Sequence, residues 1–244
     1  MNNEVSKPEE LCIGLAIHAF NFVDFTVYFN HMHAFCSWAR QHKLVFIGKK
    51  GCDSATAREF IADKAVETNC THLLFVDADH IIPVEMLNLL LENKNECMVS
   101  GLCCKKGDGF KQVVFGKSPD GRFLELNLPI DGKVYEVAVC AFGCTLINLK
   151  ELQKLPKPWF RDTCETTCDG SLQNARSDVN LCEAFRKIGG KVFVDTRILI
   201  GHYGHDQMNC VFPQNAKVLS NLQQLYQDSV NLNKGIEGVY GDVL

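Results

Sequence analysis

Two aspartates one residue apart, Asp77 and Asp79, close the run His72-Leu-Leu-Phe-Val-Asp-Ala-Asp79. Carboxylate oxygens are hard ligands for divalent cations, and such an ion can neutralise charge on a departing phosphate. Aspartates also cap helices, so residue type alone leaves both roles open. Placement favours chemistry, because Leu73 to Val76 is apolar without alternation and reads as a strand buried on both faces, central in a parallel sheet. In open α/β sheets ligands bind beyond the carboxyl ends of the strands. Further residues of useful type are His18, Asp53 and Arg58 ahead of the pair, Asp178 after Ser177, and the glycine-flanked stretch Gly201-His202-Tyr-Gly-His205.

The elements that must position these residues follow from patterning. Residues 11–20 form an apolar run containing Gly14, a first buried strand. Asp24 caps a helix over 25–40, with Val27, Tyr28, His31, Ala34, Phe35 and Trp38 at helical spacing. A second strand covers 43–47 and is closed by Gly48-Lys-Lys-Gly51; Asp53 or Ser54 then caps a helix to Glu67, with Ala57, Phe60, Ile61 and Ala65 inward. This β-α-β-α-β alternation, ending on the acidic strand, predicts right-handed crossovers and a doubly wound nucleotide-binding half.

After the acidic pair, Pro83 opens a helix whose stripe is Val84, Met86, Leu87, Leu90 and Leu91. Residues 97–104 make another buried strand. Short runs at 113–115, 122–128 and 134–139, separated by Pro119-Asp-Gly121 and Asp131-Gly132, predict a β-rich insert. Residues 140–147 continue as a strand with Gly143 at a tight position, 149–155 form a short helix ended by Pro156 and Pro158, and 161–176 read as a long loop. Ser177-Asp178 caps a helix with Val179, Leu181, Cys182, Phe185 and Ile188 buried and Gly189-Gly190 as its stop. Strands at 191–194 and 198–205 follow, then a tail whose Val218, Leu219, Leu222, Leu225, Tyr226 and Val230 recur at helical spacing. The tail is expected to pack on the body or on a partner chain, the second of these giving a homo-oligomer.

With 244 residues, 46% hydrophobic and 22% charged, the chain suits one α/β domain: a nucleotide-binding half over 11–104, a second half over 105–210, which the resemblance given below places on the acceptor side, and a C-terminal helical tail over 211–244. A formal net charge of −4, with lysines and arginines dispersed, gives no basic field for nucleic acid. The first ten residues are polar and charged, and no apolar run reaches the about 18 residues of a membrane span. Thirteen scattered cysteines, an odd number, argue against a disulfide framework and for a reducing compartment, hence the cytoplasm. Cys103-Cys104 and Cys164 with Cys168 lack the spacing of structural zinc sites and read as small apolar residues.

Taken together, four features in order resemble the nucleotide-sugar glycosyltransferases of the GT-A fold, especially compact single-domain viral and bacterial members. They are Ala57-Arg58, the Asp77-Ala-Asp79 (DxD) motif, Ala141-Phe-Gly143-Cys-Thr-Leu-Ile followed by Pro158-Trp-Phe160, and Ser177-Asp178 ahead of Gly201-His202. The resemblance covers residues 11–205. It implies a Rossmann-like GT-A fold, with a mixed central sheet flanked by helices on both faces, and transfer of a sugar from a nucleotide-diphosphate donor, a UDP-sugar, to a hydroxyl acceptor on a glycan or protein-linked sugar. By the same resemblance Asp79 ligates the metal and Asp77 contacts ribose or metal-bound water. His202 completes the ligand set, with His205 as its alternative, and an imidazole favours Mn²⁺ over Mg²⁺. Asp178 is the expected base of an inverting reaction. His18, Asp53, Arg58 and Gly143 are expected at the nucleotide sugar, and Trp159 and Phe160 at the acceptor. For a viral member the compartment is the host cytoplasm.

Three rival readings remain. A retaining transferase of the same fold would not need Asp178 as base. A non-catalytic nucleotide-sugar-binding module is kept open by Ser177, where the family often carries Glu. Phosphatases with an aspartyl-phosphate intermediate fit poorly, because their DxD continues differently and lies near the N-terminus, whereas His80 and Ile81 follow Asp79 after two strand-helix units.

Overall fold

The computed structural model describes residues 10–19, 23–105, 111–166, 172–204 and 209–211. The first half alternates as read from the sequence: β1 (Cys12–Ala19), α1 (Phe25–Ala39), β2 (Lys43–Lys50), α2 (Ser54–Glu67) and β3 (His72–Asp77). Asp24 and Asp53 cap the two helices, accepting from the amides of Thr26 and Thr56. Then come β4 (His80–Ile81), α3 (Met86–Leu91), β5 (Met98–Cys103), β6 (Val114–Lys117), β7 (Phe123–Glu125), β8 (Val134–Val137), β9 (Val139–Cys140) and β10 (Cys144–Asn148). The chain continues through α4 (Leu149–Leu152), β11 (Thr163–Thr166), β12 (Leu172–Ala175), α5 (Ser177–Lys187), β13 (Val192–Gly204) and β14 (Asn209–Val211).

Nine strands form one sheet in the order β14-β13-β5-β10-β3-β1-β2, with β4 and β8 also paired to β13. β1 is parallel to β2 and β3, and β5 is parallel to β13, but β10 runs antiparallel between β3 and β5. The sheet is mixed, as the resemblance implies, but the reading of β3 as central among parallel strands is corrected on one side, where β10 is antiparallel. The burial of β3 on both faces stands. Leu73 and Phe75 enter a core layer with Ile61 and Ala65 of α2, Leu149 and Leu152 of α4, and Leu181 and Phe185 of α5. Leu74 and Val76 enter the opposite layer with Phe35 and Trp38 of α1 and Met86, Leu87 and Leu90 of α3. An apolar run without alternation is what such a doubly covered strand requires.

Several local expectations change. The 161–176 stretch holds the hairpin β11–β12 rather than a structureless loop. The single strand expected over 140–147 is two, β9 and β10, separated by a bend at Ala141 to Gly143. The strands expected at 191–194 and 198–205 are one, β13, whose register against β5 shifts between Asp195 and Leu199. β8 leaves the insert to pair with β13, and β7-β6-β9 form a small three-stranded sheet of their own. Tyr28 and Phe60 face solvent, not the core; with Phe25, Phe29 and Met32, Tyr28 forms an exposed apolar stripe on α1. Side-chain size at helical spacing cannot distinguish a buried stripe from an exposed one on a helix this apolar. The helical tail lies, from residue 212 onward, outside the described residues, and so does His205. Among the described residues no helix is long and apolar enough to cross a membrane.

Candidate metal centre at the end of the central strand

Asp77 is the last residue of β3, and its amide donates to the carbonyl of Gly143 at 2.9 Å. The chain turns through Ala78 and Asp79 and, as β4, pairs antiparallel with β13, His80 opposite His202 and Ile81 opposite Gly201. The amide of Tyr203 donates to the Asp79 carbonyl at 2.8 Å. These backbone bonds carry the acidic turn across the ends of the intervening strands to a histidine far along the chain.

The result is a group of three. Asp79, His80 and His202 each offer one ligand atom, all within 4.8 Å of one another, an arrangement that could hold a metal ion. Asp79 Oδ2 stands 3.4 Å from His202 Nε2, and Asp79 Oδ1 stands 3.3 Å from His80 Nδ1. His202 Nδ1 lies 2.9 Å from the carbonyl of Cys104, an acceptor, so Nδ1 donates there and Nε2 is the ring atom that faces Asp79. Nε2 and the Asp79 carboxylate oxygen are both atoms that a bound cation can bridge.

His80 was not anticipated. Its side chain is only 4% exposed, and its ring stacks on that of His202 with centroids 4.5 Å apart. Gly143 makes room for it: a Cβ at that position would stand 2.4 Å from His80 Cε1 and 2.7 Å from Nε2, closer than real contacts allow. The bend that carries Gly143 is flanked by Ser100, whose hydroxyl lies 3.1 Å from the carbonyls of both Ala141 and Cys144, and by Thr145, whose hydroxyl lies 2.9 Å from the Ala141 carbonyl.

From the other side α1 fastens the acidic segment. Asn30 pairs with the backbone of Ile82 through two hydrogen bonds of 3.0 and 2.8 Å. His31 Nε2 donates to the carbonyl of His80 at 2.8 Å. Burial pushes the His31 imidazole down to about 4, outweighing that carbonyl bond, so the ring is neutral at pH 7 and has one N–H to give. Trp38 Nε1 donates to the Val84 carbonyl. The sequence offered no sign that these polar residues within an apolar helix grip the loop rather than solvent.

The remaining expected residues divide. Arg58 is buried on α2, donates to the Ser177 hydroxyl at 3.1 Å, lies 3.7 Å from Asp77 Oδ1 and covers the Phe142 ring at 5.0 Å. It ties α2, α5 and β3 together and places positive charge on Asp77, which sits outside the three-residue group of Asp79, His80 and His202. Asp178 lies in the first turn of α5, its Oδ1 accepting from the Val179 amide at 2.9 Å. The expected Ser177-Asp178 cap is not formed: both are already helical, Arg176 is the cap position without a side-chain bond, and Ser177 is taken by Arg58 and, through its amide, by Asp162. Burial, then the charges of Asp77, Cys104, Asp178 and Asp79, raise the Cys103 thiol.

His18 is opposite Asp77 in the β1–β3 register, at the same sheet edge. Asp53 is exposed, with both oxygens on Thr56, whose hydrogen bonds hold its carboxyl below the usual range. Trp159 and Phe160 correct the expectation of an open stacking surface. Trp159 is buried with Nε1 donating to the Leu155 carbonyl, and Phe160 packs between Phe75 and Phe142. Aromatic rings beside prolines here fill the core. Cys103 and Cys104 are buried thiols, as read from the sequence, with Cys104 pushed up to about 11 by burial.

No family model matches the chain, and no curated protein matches it. Among solved structures the chain is similar to the crystal structure of A197 from STIV, at 15% sequence identity and a TM-score of 0.57, over 84% of this chain and 95% of that chain. At such identity the likeness carries the fold alone. The chain is a mixed α/β protein of Rossmann-like build, with Asp79, His80 and His202 gathered at the carboxyl end of its central strand.

Proposed function

We propose that the chain is a metal-dependent glycosyltransferase of the GT-A type, moving a sugar from a UDP-sugar to a hydroxyl acceptor on a glycan or protein-linked sugar. The observation that supports this most directly is the approach of Asp79 to His202, 3.4 Å between ligand atoms from two distant segments. A carboxylate at the end of a buried strand meeting an imidazole from a later strand is the arrangement that the DxD resemblance requires.

In this reading Asp79, His80 and His202 hold a divalent cation, Mn²⁺ or Mg²⁺. When bound, the ion neutralises the charge that gathers on the leaving diphosphate. The other roles belong to the chain. Arg58 offsets the negative charge of Asp77, so the carboxylates can stand side by side next to an anionic substrate. Asp178, fixed by the Val179 amide, takes the proton of the acceptor hydroxyl as that oxygen attacks the sugar in an inverting reaction. His18, at the end of β1, flanks the nucleotide.

Assaying UDP release with Mn²⁺ and a panel of UDP-sugars, with and without glycan acceptors, tests the proposal. Release that needs Mn²⁺ and is lost in Asp79→Ala supports it. Binding of UDP without release points instead to a binding module, and full transfer by Asp178→Asn points to a retaining enzyme.

A further inference from the structure

Resting on the metal centre of that reading, we propose that the protein by itself, before any nucleotide sugar arrives, binds one first-row transition-metal dication through His80, His202 and Asp79, and that it discriminates against Mg²⁺. His80 lies outside the motif positions that the resemblance supplies, and three observations point to it.

The ligand atoms stand close enough to share an ion, Asp79 meeting His80 through Oδ1 and His202 through Oδ2. Separations of 3.3 and 3.4 Å exceed the about 2.9 Å typical of N–H···O bonds. Two ligand atoms each about 2.1 Å from a common ion stand about 3.0 to 3.4 Å apart. His202 is also oriented for ligation, because Nδ1 is held at the Cys104 carbonyl and Nε2 faces the Asp79 carboxylate.

Second, the fold makes a specific place for the His80 ring. It lies against Gly143, where any Cβ would collide, its carbonyl is fixed by His31, and its strand register sets it opposite His202. Burying an imidazole carries a desolvation penalty that an apolar residue at the same position would avoid. Metal ligation gives that burial a return, and the surrounding clamps hold the ligand before the ion binds.

Third, the ligand set selects the ion. Two imidazoles and one carboxylate suit Mn²⁺ through Zn²⁺, whereas Mg²⁺ prefers oxygen ligands and retains its waters. A centre with two nitrogen ligands therefore does not need diphosphate oxygens to reach useful affinity, while positions left open on the ion remain for them.

Chelator-stripped protein is titrated calorimetrically with MnCl₂, ZnCl₂ or MgCl₂ in the absence of nucleotide, and its melting is followed in parallel. Stoichiometric binding of Mn²⁺ and Zn²⁺ with a raised Tm, and no response to Mg²⁺, is expected. His80→Asn and His202→Asn should each weaken Mn²⁺ binding by more than the about 10- to 100-fold that loss of an outer-shell partner brings. No dication binding without UDP, or equal response to Mg²⁺, overturns the proposal, as does His80→Asn with unchanged affinity. Should His80→Asn fail to fold, electron spin echo modulation of Mn²⁺ on the native chain decides: two bound imidazole nitrogens are expected, and one overturns the role of His80. Sugar transfer is read in none of these arms, so failure here leaves the transferase proposal standing, and failure of transfer leaves metal binding intact.

Discussion

Asp79 carries the greatest burden of any single residue, since it contacts both histidines of the group. Asp79→Ala should abolish Mn²⁺-dependent turnover, a loss on the order of 100-fold or more, while circular dichroism and melting of the metal-free protein stay near the parent. Retained turnover in that variant would remove the metal from the chemistry. His31 makes a different kind of prediction. Its folded value of about 4 lies below the ordinary 6.5, so between those values the unfolded chain binds a proton that the folded chain refuses. Stability is therefore fully present above about pH 6.5 and falls as the pH drops toward 4, by about 3 kcal/mol in all. Denaturant melts across this window check it: His31→Gln, which keeps an N–H for the His80 carbonyl but does not titrate, should flatten the slope, and an unchanged slope would assign the loss to other groups.

Among the elements, α1 and the bend before β10 act as two jaws around the acidic turn. Asn30 satisfies both backbone groups of the buried Ile82, so Asn30→Ala leaves an amide and a carbonyl without that partner and should cost about 2 kcal/mol, with weaker metal binding as the turn loosens. Unchanged melting would show that water replaces the amide. On the opposite jaw, Gly143→Ala drives a methyl group into the His80 ring, and the ring must leave its slot. That variant should lose metal-induced thermal stabilisation, and a parent-like metal response would mean the ring position does not matter. The order in which these parts occur in the chain shows what could be foreseen. The strand-helix alternation up to Asp77 was legible because apolar runs, caps at Asp24 and Asp53 and the helical spacing of Ala57, Ile61 and Ala65 are local signals. The grip of Asn30 and His31 was not, because each acts on a residue 49 or 52 positions away and looks like an ordinary helix residue in sequence.

Over the whole molecule, stability should grade outward from β3, which is covered by helices on both faces and paired on both edges. Native-state hydrogen exchange should find its amides among the slowest, opening only with global unfolding, whereas the β11–β12 hairpin, which pairs only with itself in the described structure, should exchange first. Equal protection of the two would mean that the hairpin is held by contacts beyond its own ladder. The sequence by itself determined the mixed α/β class, the buried strand and the presence of carboxylates at its end, because periodicity, caps and unbroken apolar runs report each residue's immediate surroundings. Only the tertiary structure decided that His80 joins Asp79 and His202, that Arg58 turns to Asp77 and Ser177, and that Trp159 and Phe160 fill the core. Those outcomes depend on an antiparallel β10 placed beside β3 and on β4 crossing to pair with β13. Strand pairing between distant segments is set by how whole layers pack, and no local pattern encodes it.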